Sequence, residues 1–432
     1  MTHKKQKIAV VGAGISGLAS AYFLQRQHEI TLFEANNYLG GHTNTVDIDL
    51  DGKILVVDTG FLVFNDQTYP NLIALFAELG IDSYGTDMSF GVSLNDGELE
   101  WAGTNLDTVF AQRKNLLSPS FLGMIKDILR FNRDAANNLK SSIESGITLG
   151  QLLREQKYNP AFANNYLIPM AAAIWSSSPK DILEFPARTF LRFCINHALL
   201  QVNDRPQWRT VQNGARSYVK KIAETLKDIR LKSPVTEVKR TEHGVMVTSN
   251  GNTELFDQVI FATHAPDTLR MLTDPSEAEF QLLSKVRYQA NTAYLHTDIS
   301  LLPRSKKVWS AWNYIGHTGN GKTTGASDTQ SVCVSYLLNQ LQRLDTQTPV
   351  IVTLNPVHEP QAESVFAQFE YDHPVFDQKA IESQADLSSI QGHNKAWFAG
   401  AWTGYGFHED GLKSALRVIK QFDLSPTWAR TE

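Results

Sequence analysis

Six consecutive residues, Gly12-Ala13-Gly14-Ile15-Ser16-Gly17, have the types and spacing to hold a pyrophosphate. A glycine at 12 permits a tight turn, one at 14 lets a diphosphate approach the backbone, and one at 17 lets a helix pack close to a strand. A helix opening here would turn unpaired N–H groups and a positive dipole end toward that anion. Glu34, with Ala35 beside it, follows about 20 residues on, where a carboxylate accepts from ribose hydroxyls and repels a 2′-phosphate. Together these groups describe a dinucleotide site that disfavours NADP. They do not by themselves separate FAD from NAD.

Such groups work only if a strand, a turn and a helix hold them. Residues 8–11 (Ile-Ala-Val-Val) form a continuous aliphatic run, expected of a parallel strand buried on both faces. An apolar segment from 15 to about 24 reads as the helix, and residues 30–33 as a second strand ending at Glu34. Near the other end, residues 396–402 form a short apolar strand and small-residue turn, followed by a glycine-rich loop. A helix is expected after it, with Leu412, Ala415, Leu416 and Ile419 on one face and Asp410 at the N-cap.

The bulk composition narrows the class. A chain of 432 residues is too long for one compact core, so two domains are expected. Forty Lys and Arg against 45 Asp and Glu give a net charge of -5 with no basic block, which argues against a nucleic-acid partner. The only cysteines, Cys194 and Cys333, make neither a disulfide framework nor a metal cluster, so no metal site is expected. The N-terminus enters the first strand at once, in place of a signal peptide. No apolar run nears the roughly 20 residues of a membrane span. A cytoplasmic location is expected.

Leu39-Gly40-Gly41-His42-Thr43 resembles the diglycine motif of the flavin amine-oxidase superfamily, which includes protoporphyrinogen oxidase and phytoene desaturase. Tyr38 and His42 stand where that motif has arginines, so a permanent guanidinium contact is missing. Gly400-Ala401-Trp402 through Asp410-Gly411-Leu412 resembles the superfamily's closing motif, whose helix N-terminus faces the flavin pyrimidine. A reduced flavin carries negative charge there, so the dipole is useful. Residues 235–238 and a polar hairpin, followed by 259–266 with Ala262-Thr263, resemble the superfamily's β-meander and next strand, with Val235 at the adenine. The resemblance extends to Val57-Asp58-Thr59-Gly60-Phe61, Ala173-Ile174-Trp175-Ser176 and Gln207-Trp208-Arg209-Thr210-Val211. It implies FAD as cofactor. It also points to a bacterial branch encoded beside cyclopropane-fatty-acid synthase-like methyltransferases, some of whose relatives desaturate methyl-branched acyl chains.

The implied fold is α/β: a Rossmann-like FAD-binding domain built from segments 1–60, 205–265 and 390–425, with a mixed helical and sheet substrate domain from 61–204 and 266–389. Within the latter, residues 120–131 pattern as a helix with Phe121, Ile125, Ile128 and Leu129 near one face and Lys126, Arg130 and Arg133 outside it. That helix is expected to be buried; peripheral contact with a membrane, admitting a lipid, is the competing use.

In this architecture a substrate C–H bond lies over the flavin, and hydride passes to the ring. His408 is the first candidate proton handler, with a loop-fixing hydrogen bond as its competing role. Trp175 and His197 are further candidates, with core packing as theirs. Many flavin amine oxidases carry a lysine on the strand that re-enters the substrate domain; here residues 288–294 have none, and Lys285 lies earlier. The expectation is therefore an FAD-dependent dehydrogenase or desaturase of an apolar or lipid substrate, with an unidentified electron acceptor, O2 being one candidate. Amine oxidation, non-redox isomerisation and a binding protein that has lost the cofactor remain open alternatives. No cysteine lies in the C-terminal loop, so a thioether link to the flavin is not expected.

Overall fold

The computed structural model describes residues 4–201, 205–317 and 332–431. Parts of the two expected substrate-domain segments, and of the first FAD-binding segment, lie outside them.

The aliphatic run near the N-terminus becomes the central strand of a five-stranded parallel sheet. Strand Lys7–Val11 pairs with Glu29–Phe33 on one side and Gln258–Phe261 on the other; Asp228–Arg230 and Ala396–Phe398 form the edges. Alternate side chains of a strand point to opposite faces. Ile8 and Val10 accordingly join Leu18, Ile260, Leu412 and Leu416 in one core, while Ala9 and Val11 join Phe256, Phe261 and Phe398 in another. Both faces are covered, as a parallel sheet requires.

The first face is closed by helix Ile15–Leu24 and helix His408–Lys420, which pack on each other. The second face is closed by an antiparallel meander, Val235–Thr241, Gly244–Ser249 and Asn252–Phe256. Three regions distant in sequence thus meet at one sheet.

The second large sheet has seven strands, in the order Val365–Val375, Arg287–His296, Ile351–Leu354, Cys333–Leu337, Trp312–Gly316, Phe90–Leu94 and Leu99–Ala102. It is antiparallel except where Trp312–Gly316 runs parallel to Phe90–Leu94. Helices between residues 119 and 196 pack against it. A small sheet crosses the boundaries expected at 60 and 205: Trp208–Val211 pairs with Phe64–Asn65 and Ser83–Gly85.

Helix Pro119–Ser145 is longer than expected and turned differently. Ser118 caps its N-terminus, Pro119 follows at the position proline favours, and Gly146 ends it with φ +67°. Phe121, Met124, Phe131 and Ala135 are buried, whereas Leu129, expected on the same face, is 56% exposed. Arg130, expected outside, is half-buried, 3.1 Å from Asp127 and stacked on Tyr158. The apolar stripe follows the i, i+3, i+10 and i+14 positions from Phe121, and the carboxylate of Asp127 draws the arginine inward. Among the described residues, no helix is long and apolar enough to cross a membrane.

Candidate active site

The turn after the first strand is built around Gly12, whose φ of +97° lies in a region that L side chains rarely adopt. A Cβ there would also sit 2.6 Å from the carbonyl oxygen of Ala262. At Gly17 a Cβ would overlap the Gly12 carbonyl, so this glycine sets how closely helix and strand approach. Gly14 is different: a Cβ there meets nothing within 4 Å. Its α-carbon faces open space.

Gly40 N–H donates to the Ala13 carbonyl at 2.8 Å, which lays the diglycine loop against the first turn. Gly41 has φ +59° and approaches Gly14 closely. Phe61 N–H donates to the His42 carbonyl, and Thr59 N–H to that of Asn44, which fastens residues 59–61 to the same loop.

From the other end of the chain, strand Ala396–Phe398 and the turn at Ala401–Thr403 lead into helix His408–Lys420. Ser16 Oγ donates to the Gly411 carbonyl at 2.9 Å. A Cβ at Gly411 would stand 2.7 Å from Ile15 Cγ2, so the two helices meet at a contact only glycine permits. Leu412 is fully buried beneath it. Asp410 is not the N-cap, as expected, but the third residue of the helix. Phe407 is the cap, and Asp410 reaches back to accept its N–H at 3.0 Å. Burial raises the Asp410 carboxyl to about 6.

These loops surround a cavity of about 800 Å3. Gly12, Ala13, Gly14, Ser16, Glu34 and Ala35 line it from the first turn and second strand. Gly40, Gly41, His42, Gly60 and Phe61 line it from the diglycine side. Val235, Ala262, Thr263, Gly400 and Ala401 add the meander and the closing turn, and Trp175, His197 and His408 stand farther along the wall. Gly17, Thr43, Asp410, Gly411 and Leu412 do not line it; they support residues that do.

Glu34 is buried, and its carboxylate accepts from the backbone N–H of Ala13 and of Asn36, each at 2.8 Å. Each oxygen keeps acceptor capacity toward the cavity, but the carboxylate also fixes the glycine turn, a second duty not expected from sequence.

The ring of His42 stacks on both Tyr371 and His373, with centroids 5.1 and 5.2 Å away. Its Nε2 is buried with no hydrogen-bond partner, and burial holds the imidazole well below its usual range, hence neutral. The indole Nε1 of Trp402 is likewise buried and unpartnered in the cavity wall. Buried polar nitrogens without partners are costly unless something fills the role. The open face at Gly14, the Glu34 carboxylate and these two nitrogens fit a dinucleotide bearing a polar ring at its far end.

His408 lies at the start of the C-terminal helix. Its Nε2 is 2.8 Å from Thr43 Oγ1 and 3.0 Å from Tyr218 Oη, and its ring stacks on Phe61 at 3.8 Å. Burial lowers this imidazole to about 3. The competing role weighed from sequence, a loop-fixing bond, is therefore what the contacts supply.

The far end of the cavity is apolar. Trp175 is 5% exposed and packs on Phe185, Phe190 and Phe193, with its Nε1 buried and unpartnered. His197 ends helix Ala187–Asn196, its Nδ1 3.0 Å from the Phe193 carbonyl oxygen, and burial lowers it to about 4. Of the aromatic group at 309–314, Trp312 lines the cavity, Tyr314 is core, and Trp309 donates to the Pro303 carbonyl elsewhere. Strand Arg287–His296 runs alongside, and neither it nor the described cavity wall contains a lysine.

Among the wall residues that the sequence did not single out are His264, Tyr288, Tyr371 and His373. Tyr371 and His373 lie on strand Val365–Val375, whose alternation of exposed and half-buried positions is that of an edge strand. Tyr371 and His373 fall on the covered register of that alternation, which first breaks at Pro374.

Residues 15–418 match the family model of flavin-containing amine oxidoreductases. A carotenoid phi-ring synthase of Chlorobaculum tepidum is 35% identical over 127 residues, which is 27% of this chain and 20% of that protein. A Mycobacterium tuberculosis protein described as a flavin-containing monoamine oxidase is 28% identical over 265 residues, 56% of this chain and 53% of its own length. The chain thus spans about a fifth and about half of these curated relatives. Among solved structures, a fatty acid isomerase from P. acnes superposes with a TM-score of 0.67 at 13% identity, covering 98% of this chain and 99% of its own. A redesigned putrescine oxidase gives 0.67 at 17% identity, with 97% and 99% coverage. The fold is shared with both. By the family match over residues 15–418, and with a cavity suited to FAD, the chain belongs to the flavin-containing amine oxidoreductases.

Proposed function

We propose that the chain is an FAD-dependent dehydrogenase or desaturase of an apolar, lipid-like substrate. In this reading Gly12, Gly14, Gly40, Gly41 and Glu34 hold the adenosine diphosphate, and Val235, Ala262 and Thr263 the adenine. Gly400, Ala401 and the N-terminus of helix His408–Lys420 face the flavin. When bound, FAD accepts two electrons from a substrate C–H bond. The chain contributes orientation and a dry wall; His408, neutral and tied to Thr43 and Tyr218, holds the loop and does not exchange a proton near pH 7.

The observation that carries the proposal is the substrate end of the cavity. Trp175, Trp312, Tyr336, Val352, Leu354 and Phe376 wall it, with no lysine among the described lining residues. Such a wall stabilises a hydrocarbon by removing it from water, by about 0.8 kcal/mol per buried methylene. Anaerobic stopped-flow reduction against fatty acyl lipids, polyenes and amines tests it. The flavin should bleach with an acyl lipid and stay oxidised with amines.

Amine oxidation is the second reading, and one observation favours it. The ring of Tyr405 lies 5.5 Å from that of Phe193 on the cavity wall, and aromatic faces attract an ammonium group. Rapid bleaching by an amine alone would transfer the assignment. A product of unchanged mass would instead mark isomerisation, the activity named for the fatty acid isomerase that shares this fold.

A further inference from the structure

A second cavity, about 430 Å3, opens between helix Ala187–Asn196 and helix His408–Lys420. Arg188 and Arg192 line it from the first helix, and Lys413 and Arg417 from the second. Each pair is spaced i, i+4, so both helices turn two cations toward one space. Like charges at this spacing destabilise a helix. The only carboxylate in the described wall is Asp410, which accepts from the Phe407 N–H and whose charge acts on Lys413. Arg417 Nε donates to the Thr431 carbonyl at 3.0 Å, while Arg188 and Arg192 have no acceptor among the described residues. In a chain of net charge -5 this is a local concentration of positive charge, not a general property of the surface.

We propose that this cavity binds the oxyanion head of an amphipathic substrate whose chain extends past Tyr405 into the flavin cavity. Tyr405 is a wall of both cavities, so the head site and the apolar site adjoin. Guanidinium groups match the planar, two-oxygen edge of a carboxylate or phosphate and hold it by paired charge-assisted bonds. An anion seated there relieves the repulsion between Arg188 and Arg192. Ile143 and Ile381 border the same space and suit the first methylenes beyond the head. The assignment rests on the apolar-substrate reading above and adds to it where the polar end goes.

Isothermal titration of the FAD-loaded protein with decanoate, decyl phosphate, decanol, decylammonium and inorganic phosphate tests it. The two anionic chains should bind about tenfold or more tightly than decanol. That advantage should fall with added salt and vanish in the Arg188→Gln/Arg192→Gln double variant, while decanol binding stays unchanged. Arg192→Gln alone, at an exposed position, should lose part of the advantage without altering the melting temperature. Tighter binding of decyl phosphate than decanoate would point to a phosphate head; equal or weaker binding would point to a carboxylate. The head site is refuted if the anions bind no better than decanol, if the double variant keeps their advantage, or if inorganic phosphate binds as tightly as decyl phosphate. In each of those cases decanol binding leaves the apolar reading standing. If decylammonium binds tightest, or no chain binds, both assignments fail.

Discussion

His408 occupies the position where a titrating group would be most useful, yet its surroundings suit a different role. Both hydroxyls near its Nε2, those of Thr43 and Tyr218, belong to the protein, and Phe61 covers its ring. With the imidazole lowered to about 3 by burial, it is neutral throughout the physiological range. Replacement by asparagine should loosen the diglycine loop and the start of the C-terminal helix, costing about 1–3 kcal/mol of stability and weakening FAD retention. The pH profile of anaerobic flavin reduction between pH 6 and 8 should keep its shape. A profile that loses a limb in His408→Asn would restore the histidine as a proton handler. Among the histidines, the role was ambiguous in sequence because a histidine in a glycine-rich loop looks the same whether it bonds a ligand or a neighbouring hydroxyl. Glu34 was legible as an acceptor; its hold on the Ala13 N–H was not, since that depends on the turn's exact closure.

At the scale of elements, the decisive contact joins the first helix to the last. Ser16 Oγ and the Gly411 carbonyl are 2.9 Å apart, and the Gly411 α-carbon faces Ile15. Adding a methyl group at 411 would force Ile15 or the helix axis to shift, with a cost of about 1–3 kcal/mol for overpacking. Gly411→Ala should therefore purify with less FAD and a lower melting temperature, whereas Ser16→Ala should lose only about 1 kcal/mol. Equal FAD content and melting temperature in Gly411→Ala would show that the two helices need not meet so closely. The strand–turn–helix and its C-terminal counterpart were legible because each is local: a strand, a glycine turn and a helix follow one another directly in the chain. Helix Pro119–Ser145 was harder. Its apolar residues are spread so that two faces compete, and the face that is buried carries Arg130 onto Tyr158, a tertiary contact, with Asp127 beside it on the same helix. The wall formed by Tyr371 and His373 escaped notice for a similar reason, because the edge strand's pattern reports its exposed half and not the end that turns over His42.

For the whole molecule, the pairing of distant segments decides how stability responds to acid. Burial lowers His197, His296 and His373 to about 4 and His408 to about 3, all well under the 6.5 of a free imidazole. Such groups are neutral in the fold and must charge on acidification, so their contribution is complete above pH 6.5 and is lost as pH falls toward 4. Three buried carboxyls, Asp58, Glu409 and Asp410, oppose them. Asp58 and Asp410 are raised from 3.8 to about 6, so the fold binds their protons more readily than the unfolded chain does, and they favour folding as pH drops from 6 to 4. Four histidines displaced by about 2.5 to 3.5 pH units outweigh Asp58 and Asp410, displaced by about 2, together with Glu409, raised by burial, at roughly 1.4 kcal/mol per unit before solvent relaxation reduces each. The denaturant midpoint should therefore be level above pH 7 and decline between pH 6.5 and 4, with FAD released along the same curve. His197→Asn should flatten that decline, since its ring lies against Phe193 and Phe407 and, among the described residues, no charged group shifts it. A midpoint that rises between pH 6.5 and 4 would mean that the carboxyls dominate and that the histidines meet water in the native state.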